Sequence, residues 1–258
     1  MLTAITRQVS PSIAHCVLTH LPRVEIHYEV ARQQHRHYED LLTGLGCQLI
    51  SLEPEADLPD SVFVEDVAVI LDEIGILARP GPDSRRSEVT RIAPVLGEHR
   101  VLKSIEPPGT LEGGDVLRIG RKLYVGMSGR TNGQGFDQLR SLAEGFGYSV
   151  TPVPVKDCLH LKSAVSQVGP ESVLVNPNWV DGAAFSGQQL LEIDGGEPYA
   201  ANGLLVGDSL IYPRSYPHTA RRLVRQGVQL ETVDVSELQK AEGAVTCCSL
   251  VFEQGSGE

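Results

Sequence analysis

Residues able to carry chemistry recur along this 258-residue chain at a nearly constant interval. Glu65, Glu112, His160, Asn202 and Cys247 stand 47, 48, 42 and 45 positions apart. A period of roughly 45 residues signals a repeat architecture, whose units stack because none buries its apolar face alone. The local patterns define the unit. VAVILDEIGILA, DVLRIGRKLYVG and NGLLVGDSLIY each read as strand, polar or glycine turn, strand. Helices follow the N-terminal segment and each of these three hairpins. Ala31, His35, Tyr38, Leu42 and Leu45 keep helical spacing, as do Phe136, Leu139, Ala143 and Phe146. Shorter helices are predicted near Glu88–Leu96 and Thr219–Arg225. Each of the four runs into a glycine able to close it: Gly46, Gly97, Gly147 and Gly227. A further strand comes next: QLISLE, RVLKSIE, YSVTPVPV or VQLETVDV.

The unit is thus strand, strand, helix, strand. Five ββαβ-type units in a ring, with a partial unit at the N-terminus, account for the whole period. If each unit delivers one polar residue to the axis, the site lies there. An open α/β sheet is the alternative, but the hairpins disfavour it, because parallel sheets are built by helical crossovers. The expectation is a single ring-shaped α/β domain over residues 1–258, with a frayed tail at 253–258.

Composition narrows the function. A net charge of −11 disfavours nucleic acid, which needs a basic face, and an acidic balance suits a cationic ligand. No run is apolar enough for a membrane span, and the first residues do not read as a signal peptide. A cytoplasmic location is expected. The cysteines Cys16, Cys47, Cys158, Cys247 and Cys248 are odd in number and contain no C-x-x-C pair, so neither a disulfide framework nor structural zinc is expected.

The loaded segments supply a complete cysteine site between them. LPDSVFVEDVAVI packs Asp60, Glu65 and Asp66 beside a strand, suited to a carboxylate cage for a cation such as a guanidinium or to a loop of solvated acids. ARPGPDSRR and GRTN place Arg85 and Arg130 between a hairpin and a helix, suited to a carboxylate or to a capping loop. TLEGGDVL sets Glu112 before a Gly-Gly turn that permits close backbone approach. LHLKS carries His160 between leucines, and VTCCSL opens a terminal strand with Cys247. Nucleophile, acid/base, orienting carboxylate, cation-binding acids and anion-binding arginines are all present.

These segments, with AAN, in this order and spacing, resemble the dimethylarginine dimethylaminohydrolase family of the guanidino-group-modifying superfamily, over about Glu29 to Phe252. The resemblance implies a five-bladed α/β propeller with a central active site. It implies Cys247 as nucleophile, His160 as general acid/base and Glu112 as its carboxylate partner. Glu65 and Asp66 match the guanidinium binders, and Asp60, Arg85 and Arg130 the residues holding the amino-acid end. Ala241 falls where the family offers a backbone contact. Residues 10–28 match the position of a lid, with Leu18 as its substrate contact, although HLPRVEIHYEV departs from the family pattern. The implied reaction takes methylated arginine to citrulline through a cysteine thiouronium, with no metal and no cofactor. An arginine deiminase-like hydrolase releasing ammonia and a non-catalytic arginine-binding protein are the rivals. A homodimer is left open.

Overall fold

The computed structural model describes residues 1–254 and contains five three-stranded sheets. The first expected unit holds strand β1 (Leu2–Arg7), helix α1 (Tyr28–Gly44) and strand β2 (Gln48–Leu52). The second holds β3 (Ala68–Ile70), β4 (Ile74–Leu77), α2 (Arg86–Gly97) and β5 (Val101–Ser104). The third holds β6 (Val116–Ile119), β7 (Lys122–Met127), α3 (Gly133–Glu144) and β8 (Ser149–Pro154). In the fourth, a one-turn helix α4 (Leu161–Ala164) leads into β9 (Val165–Gly169), β10 (Ser172–Val175) and β11 (Gln189–Glu192). The fifth holds β12 (Leu204–Val206), β13 (Ser209–Pro213), α5 (Pro217–Arg225) and β14 (Gln229–Val233). A short α6 (Ser236–Gln239) and β15 (Leu250–Glu253) complete the described chain.

Each sheet repeats one topology: an antiparallel hairpin, then a parallel strand added by the crossover. The first unit lacks its own leading strand, and β15 pairs antiparallel with β1 to supply it. This pairing of the two chain ends closes the ring of five blades. Glu253, assigned to the frayed tail by sequence, is therefore a strand residue, and Gln254 N donates to Met1 O at 3.1 Å. Residues 255–258 of that tail lie outside the described residues.

The apolar core is divided in the same way, with one buried cluster in each seam between neighbouring blades. Ile5, Leu250 and Phe252 pack against Val67 and Ile92 in one seam. Tyr38, Leu42 and Val233 close the seam between the last blade and the first. A blade alone would expose both of its apolar faces, which is why the ring must close.

Two local expectations differ. Gly46, Gly147 and Gly227 adopt the left-handed conformation expected of helix stops, at φ 87°, 81° and 84°. Gly97 instead stays helical, and the backbone amides of Glu98 and His99 carry the turn onward. Phe146 lies past the end of α3 and is exposed. No helix among the described residues is long and apolar enough to cross a membrane.

The leading strands β3, β6, β9, β12 and β15 surround the ring axis and together line a cavity of about 460 Å³. Each recurrent residue sits just upstream of one of them: Glu65 before β3, Glu112 before β6, His160 before β9, Asn202 before β12 and Cys247 before β15. That placement explains the 45-residue period. One polar residue per blade arrives at the same end of the axis.

Candidate active site

Above that end lies a small cavity of about 20 Å³, room for about one water. Cys247, His160, Asp66, Asp60, Arg85 and Arg130 line it, with Ala241 and Val17 on its rim. Most of the residues singled out in the sequence therefore meet. Glu112 is fully buried behind His160, while Glu65 and Leu18 are not in the cavity wall.

His160 sits at the N-cap of α4 in extended backbone. Its Nε2 lies 2.7 Å from Glu112 Oε2, and its Nδ1 lies 3.7 Å from Asp66 Oδ1. Glu112 Oε1 accepts from Gly81 N at 3.0 Å and from Arg130 Nη1 at 3.4 Å. The Gly-Gly turn makes this approach possible. A Cβ on Gly114 would stand 2.5 Å from His160 Nδ1 and 2.7 Å from Asp66 Oδ1, and one on Gly113 would stand 2.0 Å from Glu65 O. Burial alone would lower the His160 pKa, but the charges of Asp66 and Glu112 and the bond to Glu112 outweigh it and raise it to about 9. Burial opposes the Glu112 charge, yet its bond to His160 and nearby cations hold its carboxyl well below the usual range. Imidazolium beside carboxylate is thus the resting pair at neutral pH, and the ring has a proton to give.

Cys247 is half-buried in a turn leading to β15. Burial, then Glu65 and Asp66, push its thiol well above the ordinary range. The thiol is therefore protonated in the free protein. Alkylation of Cys247 by a small neutral electrophile should rise late with pH, with a midpoint at or above about 8.5. A bound non-hydrolysable guanidinium analogue should move that midpoint down, because it cancels carboxylate charge and puts a cation beside the sulfur. A free-protein midpoint well below neutrality would instead indicate a resting thiolate.

Asp66 supplies the opening for such a cation. Its Oδ2 accepts from Arg85 Nη1 at 2.7 Å, but its Oδ1 is buried and has no hydrogen-bond partner. An unpartnered carboxylate oxygen, 3.7 Å from His160 Nδ1 in the cavity that Cys247 also lines, is costly unless a donor arrives. A planar N–H cation would be such a donor.

Arg85 and Glu65 are placed differently from the expectation. Arg85 spends its fork inside the protein: Nε and Nη2 grip Glu88 at 3.1 and 2.8 Å, and Nη1 holds Asp66. Glu65 is turned to Lys162 Nζ at 2.5 Å and Thr246 Oγ1 at 2.8 Å. Arg130 faces the cavity and reaches Thr19 Oγ1 at 2.8 Å.

The segment expected to be a lid lies across the cavity mouth. Val17 N donates to both Asp60 carboxylate oxygens at 3.2 Å. Glu242 accepts from the amides of Thr19, His20 and Leu21 at 2.9, 2.5 and 2.5 Å. Glu242 holds a left-handed φ of 59°, a strained conformation for a residue with a side chain, kept where surrounding contacts over-determine it. Leu18 packs its side chain against the core, and Val17 takes the cavity position.

Sequence reasoning missed Asp115 and Glu242. Asp115 is fully buried and accepts from Leu161 N, Ser128 Oγ and Thr131 Oγ1 at 3.0, 2.6 and 2.7 Å, which fixes the residue next to His160. Its one sequence signal was its place directly after the Gly-Gly pair. Asp66, Glu112 and His160 bring possible metal-ligand atoms within 4.8 Å of one another. However, the Glu112 oxygens are already taken by His160, Gly81 and Arg130. The donor set is built for a proton pair.

Residues 19–185 match the family model described as N,N dimethylarginine dimethylhydrolase, eukaryotic. The chain is 36% identical over 249 residues to the N(G),N(G)-dimethylarginine dimethylaminohydrolase of Streptomyces coelicolor, covering 96% of this chain and 95% of that one. It is 35% identical over 227 residues to the protein of the same name from Pseudomonas aeruginosa, covering 87% and 89%. A Pseudomonas aeruginosa structure complexed with citrulline matches with TM-score 0.91 at 32% identity, covering 98% of this chain and 100% of that one. A dimethylarginine dimethylaminohydrolase adduct with S-methyl-L-thiocitrulline matches with TM-score 0.92 at 33% identity, also covering 98% and 100%.

Proposed function

The chain belongs to the dimethylarginine dimethylaminohydrolase family, and on that footing we propose that it hydrolyses Nω-methylated arginine, asymmetric dimethylarginine or its monomethyl form, to citrulline and a methylamine. The observation that carries this reading is the orphaned Asp66 Oδ1 beside His160 Nδ1, in a cavity that also holds Cys247. It offers one open acceptor to a guanidinium at the point where a nucleophile and an acid converge.

The steps follow from these groups. A guanidinium N–H donates to Asp66 Oδ1 and cancels its charge, and the Cys247 thiol loses its proton to solvent. The thiolate attacks the guanidinium carbon, forming the C–S bond. His160 protonates the amine nitrogen as its C–N bond breaks, leaving a cationic thiouronium on Cys247. Neutral His160 then takes a proton from water as the hydroxide adds to the same carbon. The C–S bond breaks, the hydroxyl proton is released, and citrulline leaves while the thiol is restored. Proton transfer of this kind is typically worth about 10²–10⁴-fold in rate.

Glu112 holds the imidazole and its charge, while Glu65, engaged by Lys162 and Thr246, adds charge rather than an open oxygen. Arg130, Asp60 and the Ala241 backbone take the amino-acid end. Residues 10–28 act as the lid, contributing through the backbone around Leu18. Five free thiols suit a reducing compartment, and we place the protein in the cytoplasm.

Product analysis tests the proposal. With asymmetric dimethylarginine, monomethylarginine, arginine and agmatine compared, the methylated substrates should give citrulline with dimethylamine or methylamine. Faster release of ammonia from arginine would transfer the chain to deiminase chemistry.

A further inference from the structure

Of the five recurrent residues at the axis, Asn202 alone has no part in the chemistry above, and Glu65 faces away from the cavity. The two belong to one closed set of hydrogen bonds. Asn202 Nδ2 donates to Lys162 O and to Thr246 Oγ1, each at 2.9 Å, and Asn202 Oδ1 accepts from Thr246 N at 3.1 Å. Thr246 Oγ1 donates to Glu65 Oε2 at 2.8 Å, and Lys162 Nζ donates to Glu65 Oε1 at 2.5 Å. Glu65 N donates to Cys247 O at 3.1 Å. The bonds run from Lys162 through Glu65 and Thr246 to Asn202 and back to Lys162.

Its place in the sequence gives this ring its meaning. Lys162 stands two residues after His160, and Thr246 stands immediately before Cys247. We infer that Asn202, Lys162, Glu65 and Thr246 form a clamp that fixes the nucleophile against the acid/base, and that Asn202 and Lys162 are positioning residues of the reaction. The inference rests on the proposed hydrolysis for its meaning but not for its test.

Three features favour a clamp over ordinary packing. Asn202, Glu65 and Thr246 are all buried, so these bonds are made between side chains that expose little surface to solvent. Every orientation in the ring is forced. The amide of Asn202 must present oxygen to Thr246 N, so the Thr246 hydroxyl must accept from Asn202 and give its proton to Glu65, which must be ionised to accept from both sides. Finally, none of the four residues lines the substrate cavity, while the clamp touches the backbone of both reacting segments. Lys162 also keeps the Glu65 charge matched at the level of the thiol.

Two substitutions separate the outcomes, both made in the full chain. Thr246→Val is isosteric and removes both hydroxyl bonds. It should lower kcat for asymmetric dimethylarginine by about 10–100-fold, as a misplaced reacting group does, with KM within about 3-fold, and Thr246→Ser should recover most of the rate. A folded Thr246→Val with unchanged kcat, or a raised KM alone, would overturn the clamp and return Glu65 to substrate binding. Lys162→Met, in a Cys248→Ser background, is read by iodoacetamide alkylation of Cys247 against pH, which needs no substrate. The alkylation midpoint should rise by about one unit, and Lys162→Arg should restore it. An unmoved midpoint in folded Lys162→Met would overturn the inference, even if Thr246→Val fails to fold. Loss of wild-type turnover with dimethylarginine would instead count against the proposed function alone.

Discussion

Cys247→Ser should abolish turnover, by on the order of 10⁴–10⁶-fold, while leaving the fold and substrate binding in place. The site already works against ionisation, since burial and the charges of Glu65 and Asp66 keep even the thiol protonated. A serine hydroxyl is a far weaker acid, and a bound guanidinium would not lower its pKa into reach. Binding should be retained because the proposed cation acceptor is the unpartnered Asp66 Oδ1, not the sulfur. Cys248→Ser should keep most activity. Cys248 is fully buried, packs in the seam between the last blade and the first, and directs its Sγ to Ala244 O. Citrulline formation and calorimetric titration check both variants. An active Cys247→Ser beside an inactive Cys248→Ser would reverse the assignment.

Arg85→Ala should unfold the protein more than it weakens binding. A residue holding a substrate carboxylate would lose affinity when truncated, with little effect on stability. Arg85 is instead buried, and its fork joins Glu88 twice and Asp66 once, with the carbonyls of Asp60 and Phe63 alongside. Burial opposes its charge, but Glu88 and Asp66 outweigh that and push its pKa up. Truncation leaves two buried carboxylates without their cation, a loss of about 3–5 kcal/mol. Arg85→Lys should rescue little, because a point charge does not reproduce the bidentate grip on Glu88. Urea unfolding measures the effect. Unchanged stability with a raised KM would restore the direct substrate role. Arg130, which faces the cavity beside Glu112 and Thr19, is where such a binding loss is expected.

This contrast marks what the sequence could reveal. The ring was legible because hairpin, helix and glycine stop repeat locally, and because each blade sends one polar residue to the axis. The fourth blade was the hardest to see. Its hairpin Val165–Gly169 and Ser172–Val175 carries no helix behind it, and a 3-10 turn at Gly182–Phe185 leads on to β11 instead. Side-chain direction was not legible either. Glu65 and Asp66 share one 3-10 turn and therefore diverge, and which acid reaches the cavity depends on Lys162, 97 residues away, and Arg85. Glu242 acquires its hydrogen-bond partners only when the segment over the cavity mouth returns to meet it across more than two hundred residues. Local pattern specifies the blades, whereas closure of the ring decides which charges meet.

The most direct test of the central claim is the covalent state of Cys247 during turnover. Acid quenching of the protein with asymmetric dimethylarginine, followed by intact mass measurement and peptide mapping, would capture it. The account predicts an adduct on Cys247 equal to the substrate less dimethylamine, forming and decaying as citrulline is released. An adduct on another residue, or one on Cys247 that keeps both methyl groups, would contradict it.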